Sequence, residues 1–153
     1  NLAATLANKG FYYTPHLVKG IGEDFSIREA FTTKHETEIT PKYFDPVIEA
    51  MSAVVNLPGG TARQARLDSI EVCGKTGTVQ NPDRPDHSVF ICFAPRDNPK
   101  IAIAVYVEYS DYGGLWSAPI SSLLIEKYLT GKINDTEKEK RMLEAKFLTI
   151  YEK

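Results

Sequence analysis

The chain has 153 residues, is 42% hydrophobic and 25% charged, and carries a formal net charge of −2. That is enough for one core but not comfortably for two, and it lacks the basic footprint of a nucleic-acid-binding module. No apolar run approaches the ~20 residues of a membrane helix, and no stretch reads as a signal peptide.

In chain order, residues 1–10 pattern as a short helix with Leu2, Ala3 and Leu6 on one side and Gly10 placed to end it. A formed element at the first residue, without an initiator methionine, leads us to expect a fragment or excised domain. Residues 11–18 are aromatic and β-branched and predict an edge strand broken by Pro15. Residues 20–42 are polar and predict a surface excursion with a weak strand near Phe31. His16 and His35 lack partners at ligand spacing, so no metal is expected. Asp45 as an N-cap and Pro46 as first helical residue open a helix that carries Val47, Ile48, Met51, Val54 and Val55 to Asn56. Leu57-Pro58-Gly59-Gly60 ends it, and Thr61 caps a short turn through Ala65.

A strand is expected to open at Ser69 and to alternate through residues 70–75. After the turn-rich residues 80–86 comes a second, residues 87–94, apolar on both faces and therefore central. A third, residues 101–107, sets Ile101, Ile103, Val105 and Val107 against Ala102 and Ala104. Short turns make these an antiparallel meander. Gly113-Gly114 leads into a helix with Pro119 in its first turn, a stripe of Trp116, Ile120, Leu123, Leu124 and Tyr128, and Gly131 as C-cap. The small alanine face of the third strand is its expected seat. Residues 132–153 are charged at first, then carry Leu143, Phe147 and Ile150 at helical spacing. They predict an amphipathic tail helix, docked on the domain or offered to a partner. The fold class is α+β, an α/β sandwich in which helices pack an antiparallel meander, with residues 1–131 as one unit and 132–153 as its tail.

Chemistry concentrates in Lys75-Thr76-Gly77-Thr78. Lys75 supplies a cation, Thr76 and Thr78 share one strand face, and Gly77 marks a close approach. Such an edge suits an anionic or carbonyl ligand. Gly74-Lys75-Thr76 mimics the end of a phosphate-binding loop, but Ser69 stands where that motif needs glycine. The dinucleotide fingerprint fails likewise, with Phe25 where a third glycine belongs after Gly20 and Gly22.

Lys-Thr-Gly-Thr resembles the third motif of penicillin-binding proteins and serine β-lactamases. Its surroundings extend the likeness. Thr14-Pro15-His16-Leu17-Val18, Gly60-Thr61-Ala62, His87-Ser88-Val89-Phe90, Phe93-Ala94-Pro95, and Gly113-Gly114 with Ala118-Pro119 resemble segments of class B penicillin-binding proteins. The His87 to Pro95 wording leans toward the elongation type, penicillin-binding protein 2. The resemblance covers residues 1–131 and implies the C-terminal part of a peptidoglycan D,D-transpeptidase domain.

On that resemblance, Lys75 stabilises negative charge and assists proton transfer. Thr76 and Thr78 hydroxyls hold a terminal carboxylate, the Thr78 N–H forms one arm of an oxyanion hole, and Gly77 leaves room for an acyl peptide. The partners implied are the peptidoglycan stem peptide, β-lactams and membrane proteins of cell elongation. The place implied is the periplasmic face of the bacterial inner membrane, with an N-terminal anchor that is not among these residues. No cofactor is implied. No serine here has a lysine three positions on, and no Ser-x-Asn occurs. The chain alone is therefore expected not to acylate. The competing readings are a piece of a serine β-lactamase or D,D-carboxypeptidase, and a non-catalytic binding module. Dimerisation of the chain stays open. Cys73 and Cys92 are too few for a disulfide framework and are expected as small buried hydrophobes. The oxidising periplasm implied by the resemblance leaves a disulfide between them as the alternative.

Overall fold

The computed structural model describes residues 1–146. Its centre is an antiparallel sheet of β3 (Cys73–Val79), β4 (His87–Ala94) and β5 (Ile101–Val107) in the order β3-β4-β5. The meander is as expected, and β4 is central. Cys73 lies opposite Phe93 and Phe93 opposite Ala102, while Thr76 lies opposite Phe90 and Phe90 opposite Val105. This register fixes which side chains share a face.

One face, carrying Cys73 and Phe93, packs on Leu6 and Ala7 of α1 (Leu2–Ala7) and on Phe44, Ile48 and Met51. The last two belong to α3 (Asp45–Asn56). The other face, carrying Phe90, Cys92 and Ala94, packs on Val55, Val72, Ala118 and Ile125. The last two lie on α4 (Ser117–Thr130). Phe90, Phe93, Ile125, Val55 and Val72 are fully buried, and each side chain of this kind stabilises the fold by about 1.5–3 kcal/mol.

Several elements differ from expectation. The predicted strand over 11–18 is only β1 (Phe11–Tyr13), because Pro15 has no N–H to continue the ladder. Its partner is β2 (Lys34–Glu36). Phe31 lies in the short helix α2 (Glu29–Thr32), where the hydroxyls of Thr32 and Thr33 both donate to the Glu29 carbonyl. In α3 the cap position falls to Phe44 and Asp45 is the first helical residue. Ser52 is buried where Val47 is exposed.

The opening strand begins at Cys73, not Ser69. Residues 71 and 72 are held by α3 instead: Ser52 donates to the Glu71 carboxylate and Asn56 to the Val72 carbonyl. α4 does not sit on the alanine face. It packs with Ile101 and Ile103 on the opposite side, while Ala102 and Ala104 are exposed and Ala102 shares a cleft with Ala4 and Ala7 of α1. The buried side of α4 runs through Ser117, Ala118, Ser121 and Ser122, and Leu124 and Tyr128 are exposed. These serines let the helix approach closely, because Ser117, Ser121 and Ser122 each donate to a carbonyl three or four residues earlier. Gly131, at φ 81, ends the helix as expected.

Cys73 and Cys92 are free, buried, and one register position apart on opposite faces of the hairpin. The alternative of a disulfide is thereby removed, since the Cβ vectors point apart. In the tail, α5 (Thr136–Leu143) is capped by Asp135, whose carboxylate accepts from the Lys138 amide. Ala145 and Lys146 are not helical, so the expected helix does not run on unbroken from Leu143. Phe147 and Ile150 lie outside the described residues. Among the described residues no helix is long and apolar enough to cross a membrane.

Candidate functional site at the free edge of β3

Among the described residues β3 has a neighbour on one side only. In an antiparallel ladder, residues alternate between turning both main-chain groups toward the partner and turning both away. The Thr76 carbonyl accepts from Lys75 Nζ at 2.8 Å, and the Val72 carbonyl accepts from Asn56, so the even-numbered positions face outward. Gly74, Thr76 and Thr78 therefore present N–H and C=O groups to the open edge. The odd positions, Gly77 among them, pair with β4.

Side chains straddle this edge. Lys75 rises on the face of Phe93 and is exposed, and its ammonium folds over the edge onto the neighbouring carbonyl. Thr76 and Thr78 project on the opposite face. Thr76 is half-buried, its hydroxyl 2.9 Å from that of Thr61, and Thr78 is exposed. A Cβ built on Gly77 would meet Val89 Cβ at 3.4 Å and no closer atom among the described residues. The packing around it does not demand glycine. Gly74 is the reverse case, for a Cβ there would lie 2.2 Å from the Phe90 ring.

A wall stands beside the strand. Gly113 approaches so closely that a Cβ would fall 2.2 Å from the Val89 carbonyl oxygen and 2.9 Å from that of Gly77. On Gly114 it would fall 2.3 Å from the Thr61 carbonyl. The buried pair Ser88 and Ser117 fixes this loop to the sheet. The Ser117 amide donates to Ser88 Oγ at 3.0 Å, Ser88 Oγ donates to Ser117 Oγ at 2.7 Å, and Ser117 Oγ donates to the Gly113 carbonyl at 2.9 Å. Sequence reasoning placed Lys75, Thr76, Gly77 and Thr78 correctly on one strand. It did not join Thr61 or the glycine pair to them. The spacing of 15 residues from Thr61 to Thr76 carries no periodic signal.

The start of β3 is anchored below. Arg96 reaches both Glu71, at 3.1 Å, and Glu49, and the Ser52 hydroxyl, followed by Arg96, holds the Glu71 carboxyl below the usual range. Among the described residues no group of three or more His, Cys, Asp or Glu side chains could hold a metal.

The family model for the penicillin binding protein transpeptidase domain matches residues 1–126. The chain belongs to that family. It is 30% identical to the peptidoglycan D,D-transpeptidase MrdA of Haemophilus influenzae, over 87% of this chain and 23% of that protein. It is also 30% identical to the peptidoglycan D,D-transpeptidase PbpA of Mycolicibacterium smegmatis, over 81% of this chain and 27% of that protein. It superposes on Pseudomonas aeruginosa PBP2, solved in complex with WCK 5153, with a TM-score of 0.72 and 33% identity, over 88% of this chain and 30% of that one. The family chain thus spans about a quarter of the length of these curated relatives. The expected α+β class and the expected penicillin-binding protein 2-like membership both stand.

Proposed function

We propose that this chain supplies the third active-site element of a serine acyl-transfer enzyme that cross-links peptidoglycan. The observation that carries the reading is the open edge of β3, where outward-facing main-chain groups, the Lys75 ammonium and a glycine position free of packing demands converge. Family membership supplies the chemistry. Relatives are named peptidoglycan D,D-transpeptidases, and penicillin-binding protein A of Mycobacterium tuberculosis, 30% identical with a TM-score of 0.67, is solved as an imipenem acyl-enzyme.

In this reading a stem peptide or β-lactam lies along β3 as an added strand and pairs with the outward groups of Thr76 and Thr78. Lys75 stabilises negative charge beside the attacking serine and assists its proton transfer. The Thr76 and Thr78 hydroxyls hold the terminal carboxylate, and the Thr78 amide faces the oxyanion of the tetrahedral intermediate. One such donor is worth about 3 kcal/mol of barrier. Gly77 keeps the strand surface flat for the acyl chain. The nucleophile and its base come from Ser-x-x-Lys and Ser-x-Asn sequence outside these residues, so the chain alone does not acylate. The whole enzyme works at the periplasmic face of the inner membrane with membrane proteins of cell elongation.

The test is labelling with a fluorescent penicillin. This chain gives no covalent adduct, whereas a longer chain from the same source that includes Ser-x-x-Lys does, and K75A in that longer chain abolishes it. An adduct on the chain alone overturns the fragment reading. Fast deacylation by the longer chain assigns a hydrolase, and absence of any adduct on it assigns a non-catalytic module.

A further inference from the structure

We propose that Arg141 of α5 is a positioning residue for the wall beside β3. The inference rests on the reading of that edge as the ligand site. α5 lies beyond the span matched by the family model, so its role is not inherited from the family.

The geometry leads from Arg141 to the strand by two routes. Its Nη2 donates to the Gln64 side-chain oxygen at 2.5 Å. Gln64 sits in the one-turn 3-10 helix Arg63–Ala65, whose N-cap Ala62 follows Thr61, and Thr61 shares its hydroxyl contact with Thr76. The same guanidinium lies over the Trp116 ring, 5.8 Å from its centroid. Trp116 is the N-cap of α4 and follows Gly113 and Gly114 by three and two positions, and Gly114 presses on the Thr61 carbonyl.

Arg141 therefore ties together the two segments that meet at Thr61 and Gly114. A guanidinium suits this task because one planar group can stack on an aromatic face and donate from its rim at the same time. An ammonium offers a point charge without the plane. The tail thus reaches the ligand edge without touching it. Through Thr61 it sets where the Thr76 hydroxyl stands, and through Trp116 it sets how tightly the glycine pair closes on the strand.

The test uses the whole 153-residue chain with uniform 15N labelling, and no β-lactam, so that its failure is distinct from failure of the acyl-transfer reading. In R141A the amide signals of Thr61, Gly114 and Thr76 shift along with those of Gln64 and Trp116, while those of Phe90 and Ile125 in the core stay in place. The emission of Trp116, the sole tryptophan, moves to longer wavelength. R141K restores the signals only part of the way, and Q64A reproduces the Thr61 and Thr76 shifts while leaving the Trp116 emission nearly unchanged. Shifts confined in R141A to α5, Gln64 and Trp116, with Thr61, Gly114 and Thr76 unmoved, overturn the proposal and leave Arg141 as a local contact.

Discussion

Asn56 donates from its side-chain amide to the main-chain carbonyl of Val72 at 2.9 Å. The same amide serves the Ser52 carbonyl at 2.9 Å and its hydroxyl at 3.2 Å, so the last turn of α3 and the residue before β3 share one donor group. This contact takes the place of a neighbouring strand at the start of the free edge and holds Val72, which is fully buried, in line with the motif.

Asn56→Ala leaves the Val72 carbonyl without that donor. An orphaned buried acceptor costs about 1–3 kcal/mol, which for a domain of this size is roughly a 3–10 °C fall in Tm. Asn56→Asp is expected to cost more, because it sets a second acceptor against two carbonyls. Thermal unfolding followed by circular dichroism checks both, and an unchanged midpoint in either contradicts the anchoring role.

The two glycines of β3 make opposite predictions. Gly74→Ala drives a methyl into the Phe90 ring, which is fully buried and cannot swing away, so overpacking of about 1–3 kcal/mol follows. Gly77→Ala finds Val89 Cβ at 3.4 Å, an ordinary van der Waals contact, as its nearest neighbour among the described residues, and its stability is expected to stay within about 0.5 kcal/mol of the parent chain. In a longer, serine-bearing chain the order reverses for function, with Gly77→Ala slowing penicillin labelling. Urea denaturation of the two variants separates them, and equal destabilisation by both sinks the argument.

The Ser88–Ser117 pair offers a third measurement. Ser88→Ala removes the acceptor of the buried Ser117 amide and a partner of the Ser117 hydroxyl. Loss of about 1–3 kcal/mol is expected. The Gly113 amide should also exchange faster with solvent, since the loop above β3 loses its tie to β4. Native-state hydrogen exchange reads the second effect independently of the first, and unaltered exchange at Gly113 would detach the loop from the pair.

The meander was legible because β4 and β5 are runs of apolar residues and the segments between the strands are rich in proline, asparagine and aspartate. Lys75 to Thr78 could be placed with it. The faces of the helices were less legible. In α4 the buried side is serine-rich, and a hydropathy stripe points instead to Leu124 and Tyr128, which are exposed. Serine can face a sheet there only because its hydroxyl returns to a carbonyl of its own helix, a satisfaction that residue type alone does not reveal. The alanine face of β5 was assigned to the wrong helix because small residues signal close approach without saying by which element. The contacts Thr61–Thr76 and Asn56–Val72 join residues 15 and 16 positions apart across a chain reversal, and no local pattern encodes them.

The cysteines give the pH prediction. Burial is the first cause that pushes both thiols up to about 12, and the nearby Glu71 carboxylate adds to the effect at Cys73. An unfolded thiol ionises near ~8.5. Below that value both states hold the proton and stability is independent of these groups. Between about 8.5 and about 12 the unfolded chain releases protons that the folded chain keeps, so stability falls as pH rises, by up to about 1.4 kcal/mol per pH unit for each thiol. Tyrosines and lysines titrate in the same window, so the slope is isolated by comparison with the C73A/C92A double variant, whose urea midpoint should decline less steeply between pH 9 and 11. The native chain should react slowly with Ellman's reagent at pH 8, and the unfolded, unreduced chain should show two free thiols. Rapid labelling of the native chain, or an identical pH slope in the double variant, would contradict the burial of Cys73 and Cys92 on opposite faces of the hairpin.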